Sequence, residues 1–247
     1  MNNCKSSGNH INLENAPDKN RFKRNIRLEK LTEILNEYNN EIYSYVLSSV
    51  KYDKSKFKQY GCAPNFQGNY VTLTTCKHYM RSYRKPQDWL NVWIAGFGDL
   101  NNELKKNFLF YLMQVKIAFI SFKELWNFLK DDKETQNIKN SRFNPYGDIF
   151  EPKDEFTIIE ENNAKDKSFK FYHIPIDGHK HLDKYESWKR DIFRFYKTTK
   201  RRPSLLVGNE NNTFYWSKPR IYFKKRLPRN CKMFENIQDF IKFLEEK

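Results

Sequence analysis

The chain of 247 residues carries a formal net charge of +15 at neutral pH, and it contains 38% hydrophobic and 17% aromatic residues. No apolar run approaches the roughly 20 residues of a transmembrane helix, and the four cysteines form no C-x-x-C pair, which argues against a membrane protein or a disulfide-rich secreted domain. We therefore expect a cytoplasmic globular protein with an aromatic core and an anionic partner, most simply nucleic acid.

The first half of the chain predicts a tail, one helix and four strands. Residues 1–20 are polar and predict a mobile tail. Arg21–Asn39 places apolar residues at helical spacing and predicts an amphipathic helix. Runs of β-branched and aromatic residues, separated by glycine, proline and asparagine turns, predict strands. These runs are Ile42–Val50, Tyr70–Thr75, Trp89–Ala95 and Phe108–Phe122.

Shorter elements are predicted in the second half. Residues 122–130 predict a short helix, Lys130–Ser141 a polar linker, and Phe156–Glu160 with Ser168–Ile176 a hairpin. The remaining predicted elements are a helix in Lys184–Lys200, strands at Pro203–Gly208, Thr213–Trp216 and Arg220–Phe223, and a C-terminal helix that includes Phe234 and Leu244. The pattern predicts an α+β fold in one domain over residues 21–247. Its centre is a bent mixed β-sheet or a small barrel, flanked by N- and C-terminal helices.

A series of short motifs in a fixed order carries a family resemblance. The motifs are Tyr43-Ser44-Tyr45-Val46, Ala63-Pro64-Asn65, Thr72-Leu73-x-Thr75-Cys76-Lys77, Asp88-Trp89, Gly96-x-Gly98 and Gly147-Asp148-Ile149-Phe150. Over roughly residues 41–228 the chain resembles the nucleotide modification associated domain, type 2. His78 and Gln87 depart from the pattern of that family, which has Pro and Gly there. The resemblance implies a role in DNA modification in a prokaryotic or phage system, and it implies no particular reaction.

The same stretch is also similar, at the level of fold analogy, to PUA-like barrels that hold a flipped base. A ligand pocket there would combine aromatic walls with polar groups, and glycines would let the backbone approach the ligand. The candidate ligand-binding residues are Tyr43, Tyr45, Asn65, Thr72, Thr75, Lys77, Trp89, Trp93, Gly96 and Gly98. The alternative is that the large rings are core residues, since most large aromatics are buried somewhere.

Positive charge concentrates in the C-terminal part, residues 184–232. This part holds fifteen Lys and Arg against three acidic residues, so it carries +12 of the total charge of +15. Aromatic residues lie between the cations at Phe214-Tyr215-Trp216, a pattern typical of phosphate contacts combined with base stacking. The candidate phosphate-binding residues are Arg201, Arg202, Arg220, Lys224, Lys225 and Arg226. The alternative is a set of solvated lysines in a generally lysine-rich sequence.

Catalytic signals are weak. The chain has no P-loop, G-x-S-x-G or H-E-x-x-H motif. Candidates for catalysis are Cys76 with His78, Lys77, and the two carboxylates Asp148 and Glu124. The segment Asp177-Gly-His179-Lys-His181-Leu-Asp183 lacks zinc spacing, so we expect a polar loop and no metal. Three hypotheses stay open: a nucleic-acid or nucleotide-binding module, an enzyme of base modification, and an accessory protein-binding subunit. No cofactor is indicated.

Overall fold

A computed structural model of the chain describes residues 11–12, 22–47, 49–53, 56–98, 107–154, 156–163, 168–179, 188–223, 227 and 231–245. The chain divides into two compact units. Unit 1 takes its described residues from Gly61–Trp89 and Ile117–Val207, and unit 2 takes its own from Gly8–Tyr60, Leu90–Lys116 and Gly208–Lys247. The tail predicted for residues 1–20 lies outside the described residues except for Ile11 and Asn12. The single domain over residues 21–247 stays a prediction.

Most of the β-structure belongs to unit 2. Its strands are β1 (Ile11–Asn12), β2 (Lys23–Arg24), β3 (Ile42–Leu47), β4 (Val50–Asp53), β5 (Lys56–Gln59), β7 (Trp93–Gly98), β8 (Asn107–Phe119), β9 (Leu205–Tyr215), β10 (Tyr222–Phe223) and β11 (Lys232–Phe234). β8 and β9 also contribute residues to unit 1. The main sheet has the order β11-β3-β7-β8-β9-β2, and β10 pairs with β8. A smaller sheet has the order β1-β5-β4.

The main sheet is mixed and open. β3 runs parallel to β7 and β2 runs parallel to β9, whereas β7 is antiparallel to β8 and β11 is antiparallel to β3. Among the described strands the order ends at β11 and β2, so the sheet does not close into a barrel. The predicted α+β class and mixed sheet are confirmed. Of the two predicted forms, a bent sheet or a small barrel, the structure shows an open sheet.

Two terminal helices complete the core of unit 2, as the apolar spacing predicts. Helix α1 spans Leu28–Leu35 and helix α8 spans Ile237–Glu245. Each helix buries its apolar stripe in a cluster with one face of β3, β7 and β8. Trp93 lies at the centre of this cluster, where its ring packs edge-on against Tyr38 at 5.3 Å and stacks on Phe214 at 6.2 Å.

Glycines in β7 make room for rings on the opposite face of the sheet. Gly96 pairs with Tyr45 on one side and with Tyr111 on the other. The two tyrosine hydroxyls meet 2.6 Å apart, and a Cβ at Gly96 would lie 2.1 Å from the Tyr111 ring. A Cβ at Gly98 would lie 2.0 Å from the Phe108 ring. The Gly-x-Gly pair therefore accommodates protein side chains at these positions.

Unit 1 is mostly short helices. They are α2 (His78–Arg81), α3 (Phe122–Phe128), α4 (Lys133–Lys139), α5 (Ile158–Asn163), α6 (Ser168–Phe171) and α7 (Lys189–Phe193), with a 3-10 helix at Pro86–Trp89. Strand β6 (Thr72–Leu73) pairs antiparallel with the first residues of β9. An aromatic and aliphatic cluster that includes Phe122, Phe150, Tyr172 and Trp188 forms the core of this unit.

Two predictions for unit 1 are wrong. The expected linker Lys130–Ser141 contains α4, which Asp132 caps by accepting the N–H of Thr135 at 3.1 Å. The residues that α4 buries are polar, so the sequence shows no apolar periodicity there. The expected hairpin contains α5 and α6 instead. Thr157 and Glu160 form the side-chain and backbone contacts of a capping box, which starts α5.

The elements predicted elsewhere are present with shifted ends. The helix predicted over Lys184–Lys200 is α7, while residues 180–187 lie outside the described part of the chain. Two predicted strands, Pro203–Gly208 and Thr213–Trp216, are one strand, β9. Of the helices in the described ranges, none has the length and apolar character needed to cross a bilayer.

Gly98→Ala should destabilise the protein because the new methyl group meets the Phe108 ring. Overpacking of this kind costs roughly 1–3 kcal/mol. Phe108→Leu removes the ring atoms that clash, so the double variant should cost about 1–2 kcal/mol less than the sum of the single variants. Urea unfolding of all three variants measures this coupling.

Gly208→Ala is the matched control in unit 2. Its Cβ would meet the flexible Met113 side chain at 3.0 Å, so we expect a smaller loss of stability. Strictly additive effects of Gly98→Ala and Phe108→Leu would contradict the assigned close packing.

Candidate functional site

Two basic segments of unit 1, residues 81–85 and 196–204, are joined by hydrogen bonds. The Ser204 amide donates to the Arg81 carbonyl at 3.0 Å, and Arg201 Nη1 donates to the Tyr83 carbonyl at 2.8 Å. Tyr196 and Arg201 form an antiparallel bridge that closes the second segment on itself. These bonds place Arg84 and Lys85 beside the run Lys200-Arg201-Arg202.

The side chain of Arg81 helps to hold the two basic segments together. It is fully buried, and its guanidinium donates to the carbonyls of Cys76 at 2.6 Å, Ser204 at 2.5 Å and Thr74 at 2.7 Å. A buried guanidinium needs such partners because an unpaired charge in the interior is costly. Arg81 thus joins the end of the β6 segment to the start of β9.

A groove of about 370 Å³ lies between the joined segments. Its lining residues are Arg84, Lys85, Pro86, Ile120, Phe195, Lys200, Arg201 and Arg202. We call this feature the cationic groove, because five of its described lining residues are cations and none is acidic. The side chains of Lys85 and Lys200 are exposed, and the Phe195 ring is 58% exposed.

Arg202 is the most enclosed cation of the groove. It forms an ion pair with Glu161 at 3.3 Å, where the side chains of Arg202 and Glu161 are 11% and 1% exposed. Burial raises the pKa of Glu161, and the Tyr172 hydroxyl donates to the same carboxylate at 3.4 Å. The Arg202 guanidinium also lies over the Phe193 ring at 5.7 Å. Arg202 is therefore held in place by protein groups, whereas Lys85 and Lys200 face solvent.

The groove has the chemistry of an anion site. Closely spaced cations create a local positive potential, which is favourable for phosphate and unfavourable for other cations. Arginine offers planar paired donors to a phosphate and lysine offers a compact charge. An exposed ring at the edge of such a groove presents a face on which a base can stack.

A second polar cluster, built around Asp148, is enclosed in unit 1. Lys139 donates to the carbonyl and side-chain oxygens of Asn65, both at 3.1 Å, and to Thr72 Oγ1 at 2.8 Å. Thr72 in turn donates to Asp148 Oδ2 at 2.7 Å, and Thr74 Oγ1 lies at the same distance from that oxygen. The other carboxylate oxygen, Oδ1, is buried without a hydrogen-bond partner in the described residues.

Burial is the main cause of the pKa shifts of Asp148 and Lys139 in this Asp148 cluster. It raises the pKa of Asp148, which the charge of Lys139 partly opposes. It also lowers the pKa of Lys139 to about 8. Both side chains are fully buried. The cluster connects α4, β6 and residues 146–149 by hydrogen bonds, so it helps to hold these parts of unit 1 together.

The predicted ligand-binding residues divide between the two units. Trp89 lies in unit 1 and Trp93 in unit 2, and both are fully buried. Tyr43 and Tyr45 in β3 are also buried. Asn65 belongs to the Asp148 cluster, and Thr75 Oγ1 lies 3.2 Å from the Cys62 thiol. Tyr45 and Trp93 are core residues, which is the alternative that the sequence left open for the large rings.

The candidate catalytic residues have local roles in the structure. Lys77 adopts a left-handed conformation with φ 53°, which ends the extended segment and starts α2 at His78. His78 contacts the buried carboxylate of Asp191 in α7. Glu124 accepts the amides of Ile120 and Ser121 at 3.0 and 3.2 Å, and with Ser121 it forms the capping box of α3. Cys76 is a free, partly exposed thiol.

The predicted basic residues are only partly brought together. Arg201 and Arg202 line the cationic groove, while Arg220 is exposed in unit 2. Lys224, Lys225 and Arg226 lie outside the described residues, as do His181 and Asp183. His179 is described, and its ring nitrogen lies 2.8 Å from the Gly147 carbonyl. Within the described part of the chain, no group of three or more metal-ligating side chains forms a site.

Several residues of the cationic groove and of the Asp148 cluster were not predicted from the sequence. Arg84 and Lys85 form one wall of the groove, and their signal is the short basic run before Pro86. Phe195 follows Arg194 in the basic C-terminal part, inside the segment Lys184–Lys200 for which the sequence predicts a helix. Lys139 carries no signal, because a single lysine in a polar stretch does not indicate burial.

Comparison with known protein families gives a match. The family model described as nucleotide modification associated domain 2 matches residues 39–170, just over half of the chain. No curated protein and no solved structure matches.

Replacing Lys139 should change how stability depends on pH. Its pKa is about 8 in the folded protein against an ordinary 10.5, so between these values the unfolded state binds more protons. The contribution of this lysine to stability is therefore present above pH 10.5 and is lost as pH falls through 8. Relative to Lys139→Met, the wild type should gain unfolding free energy from pH 8 to pH 10.5.

Urea unfolding at a series of pH values measures this difference. Lys133→Met, at an exposed position of the same helix, is the control for the loss of a lysine. Parallel pH curves for the wild type and Lys139→Met would contradict the lowered pKa.

Proposed function

The chain belongs to the nucleotide modification associated domain 2 family, and on this basis we propose that it binds a nucleotide or a segment of nucleic acid in the cationic groove of unit 1. Family membership associates the chain with nucleotide modification. The groove supplies the chemistry that such a role needs, a place for phosphate beside a place for a base. The proposal makes the protein a binding module of a modification system.

The observation that carries the proposal is the composition of the groove. Arg84 and Lys85 on one segment face the same space as Lys200, Arg201 and Arg202 on the other. Arg202 is paired with Glu161, and a bound anion would offset the repulsion among the remaining cations of the groove. A volume of about 370 Å³ lies in the range of small-ligand sites.

The residues that line the groove are suited to different parts of a nucleotide. Arg201 uses one of its donors for the Tyr83 carbonyl, which orients the guanidinium. Lys85 and Lys200 are exposed, so their flexible side chains can reach a phosphate group at the groove. Phe195 and Pro86 provide apolar surface at the same groove. We assign phosphate contacts to the cations and base stacking to Phe195.

The proposed site replaces the aromatic pocket that the sequence suggested. Trp93 and Tyr45 are buried and pack against other protein rings. The phosphate-binding part of the original hypothesis is retained for Arg201 and Arg202. Its base-binding part moves to the exposed ring of Phe195.

Reversing the two exposed charges should weaken binding. The double variant Lys85→Glu, Lys200→Glu should lower affinity for a labelled single-stranded oligonucleotide at least about tenfold at low salt. Each phosphate contact contributes about 0.7 to the salt slope of single-strand binding, so the slope should fall by roughly 1.4. Fluorescence anisotropy from about 50 to 200 mM salt measures both effects.

The double variant Lys130→Glu, Lys153→Glu is the matched control. It makes the same change in net charge at two exposed lysines of unit 1 that do not line the groove. Equal losses in the two double variants would mean that net charge alone drives binding, and the site assignment would then be wrong.

Removing the exposed ring should separate stacking from phosphate binding. Stacking of a base on an aromatic ring contributes ~1–3 kcal/mol, so Phe195→Ala should weaken nucleotide binding about 5- to 150-fold. Binding of inorganic pyrophosphate, which has no base, should change little. Isothermal titration of both ligands gives the comparison, and equal losses for the two would refute the role given to Phe195.

A further inference from the structure

A row of partly exposed aromatic rings adjoins the cationic groove. Tyr79 lies between two other tyrosines, with its ring centroid 5.0 Å from that of Tyr83 and 5.2 Å from that of Tyr196. Tyr79 is 44% exposed and Tyr83 is 37% exposed. We call these three residues the tyrosine row. Scattered single apolar residues on a surface are ordinary, but a contiguous group of large rings marks an interaction site.

The tyrosine row is connected to the groove through the backbone. Tyr83 immediately precedes Arg84, and its carbonyl accepts the Arg201 guanidinium at 2.8 Å. Tyr196 pairs with Arg201 in an antiparallel bridge. Both ends of the row are thus attached to residues that line the groove. The rings and the cations form one continuous surface of unit 1.

Cations accompany the rings along this surface. The guanidinium of Arg194 lies over the Tyr196 ring at 4.7 Å from its centroid, and Arg194 is exposed. Rings with cations beside them match a ligand that alternates flat bases with phosphates. An apolar protein segment would bury the rings but would leave these charges unpaired.

We propose that the tyrosine row and the cationic groove form one binding surface for single-stranded nucleic acid several nucleotides long. This inference rests on the proposed function and names its ligand. A free nucleotide has one base and would occupy the groove beside Phe195 while leaving the row empty. A duplex keeps its base faces stacked inside the helix, so it cannot use the rings. A single strand can place a phosphate in the groove and further bases along the row.

The test compares ligand length and strandedness in the full-length protein. The probes are thymidine monophosphate, an oligothymidylate of about eight nucleotides and a duplex of the same length. Fluorescence anisotropy and competition at fixed salt give the affinities. We expect the oligonucleotide to bind at least about tenfold more tightly than the mononucleotide and the duplex. An oligouridylate of the same length separates RNA from DNA binding.

Substitutions in the tyrosine row identify the surface. Tyr79→Ala should weaken oligonucleotide binding about 5- to 150-fold and leave mononucleotide binding unchanged. Tyr79→Phe keeps the ring and should keep the affinity. Tyr83→Ala, at a second position of the row, repeats the test independently of any folding defect at Tyr79. Phe143→Ala is the matched control, since that ring is 65% exposed, lies against Arg142 and does not belong to the row.

The outcomes separate this inference from the proposed function. If the charge-reversal variant of the groove weakens all ligands while Tyr79→Ala and Tyr83→Ala bind the oligonucleotide normally, the groove stands and the tyrosine row is overturned. A duplex that binds as tightly as the single strand also overturns the row. If the charge reversal has no effect on any ligand, the proposed function fails as well.

Discussion

The buried guanidinium of Arg81 is the constraint on which the candidate site depends. Five cations gathered around one groove repel one another, and their segments are more than one hundred residues apart in the chain. Arg81 binds the carbonyls of Thr74, Cys76 and Ser204, so its burial requires these segments to meet. Removing any of these acceptors would leave a charge donor unsatisfied in the interior, which is strongly unfavourable. The Arg81 hydrogen bonds and the Arg202–Glu161 ion pair hold the segments together against this repulsion.

Unit 1 uses polar burial more generally. Lys139 donates three hydrogen bonds, which is the full capacity of an ammonium group, and Thr72 passes one interaction on to Asp148. Like the Arg81 network, this cluster connects segments distant in sequence. The two networks share the 72–76 segment, because Thr74 contacts Asp148 through its hydroxyl and Arg81 through its carbonyl. One short stretch of backbone therefore takes part in both networks.

The sequence predicts what depends on apolar pattern and fails where polar groups determine the structure. Strands β3, β7 and β8 and the helices α1 and α8 follow from periodicity, because each contributes apolar residues to one buried cluster. Helix α4 buries Thr135, Gln136 and Lys139, so its pattern resembles that of a surface loop. The Gly96-x-Gly98 motif was interpreted as space for a ligand, yet the sequence cannot show that rings of β8 occupy that space. Of the residues that line the groove, the sequence points to Arg201 and Arg202 as candidate phosphate-binding residues. The other wall of the groove could not be found, because nothing local relates Arg84 to residues so far along the chain.

The family match and the candidate site overlap only in part. The matched range, residues 39–170, contains Arg84, Lys85, Arg81 and the Asp148 cluster. It does not contain Phe195 or the run Lys200-Arg201-Arg202, which complete the groove. The matched part thus provides the Asp148 cluster, the donor Arg81 and one wall of the groove, and it also contains Tyr79 and Tyr83 of the tyrosine row. The second wall and Tyr196 come from beyond that range, and they supply both the exposed ring of the groove and most of its charge. Under the proposed function, most of the phosphate-binding cations and the stacking ring Phe195 therefore belong to residues outside the matched range.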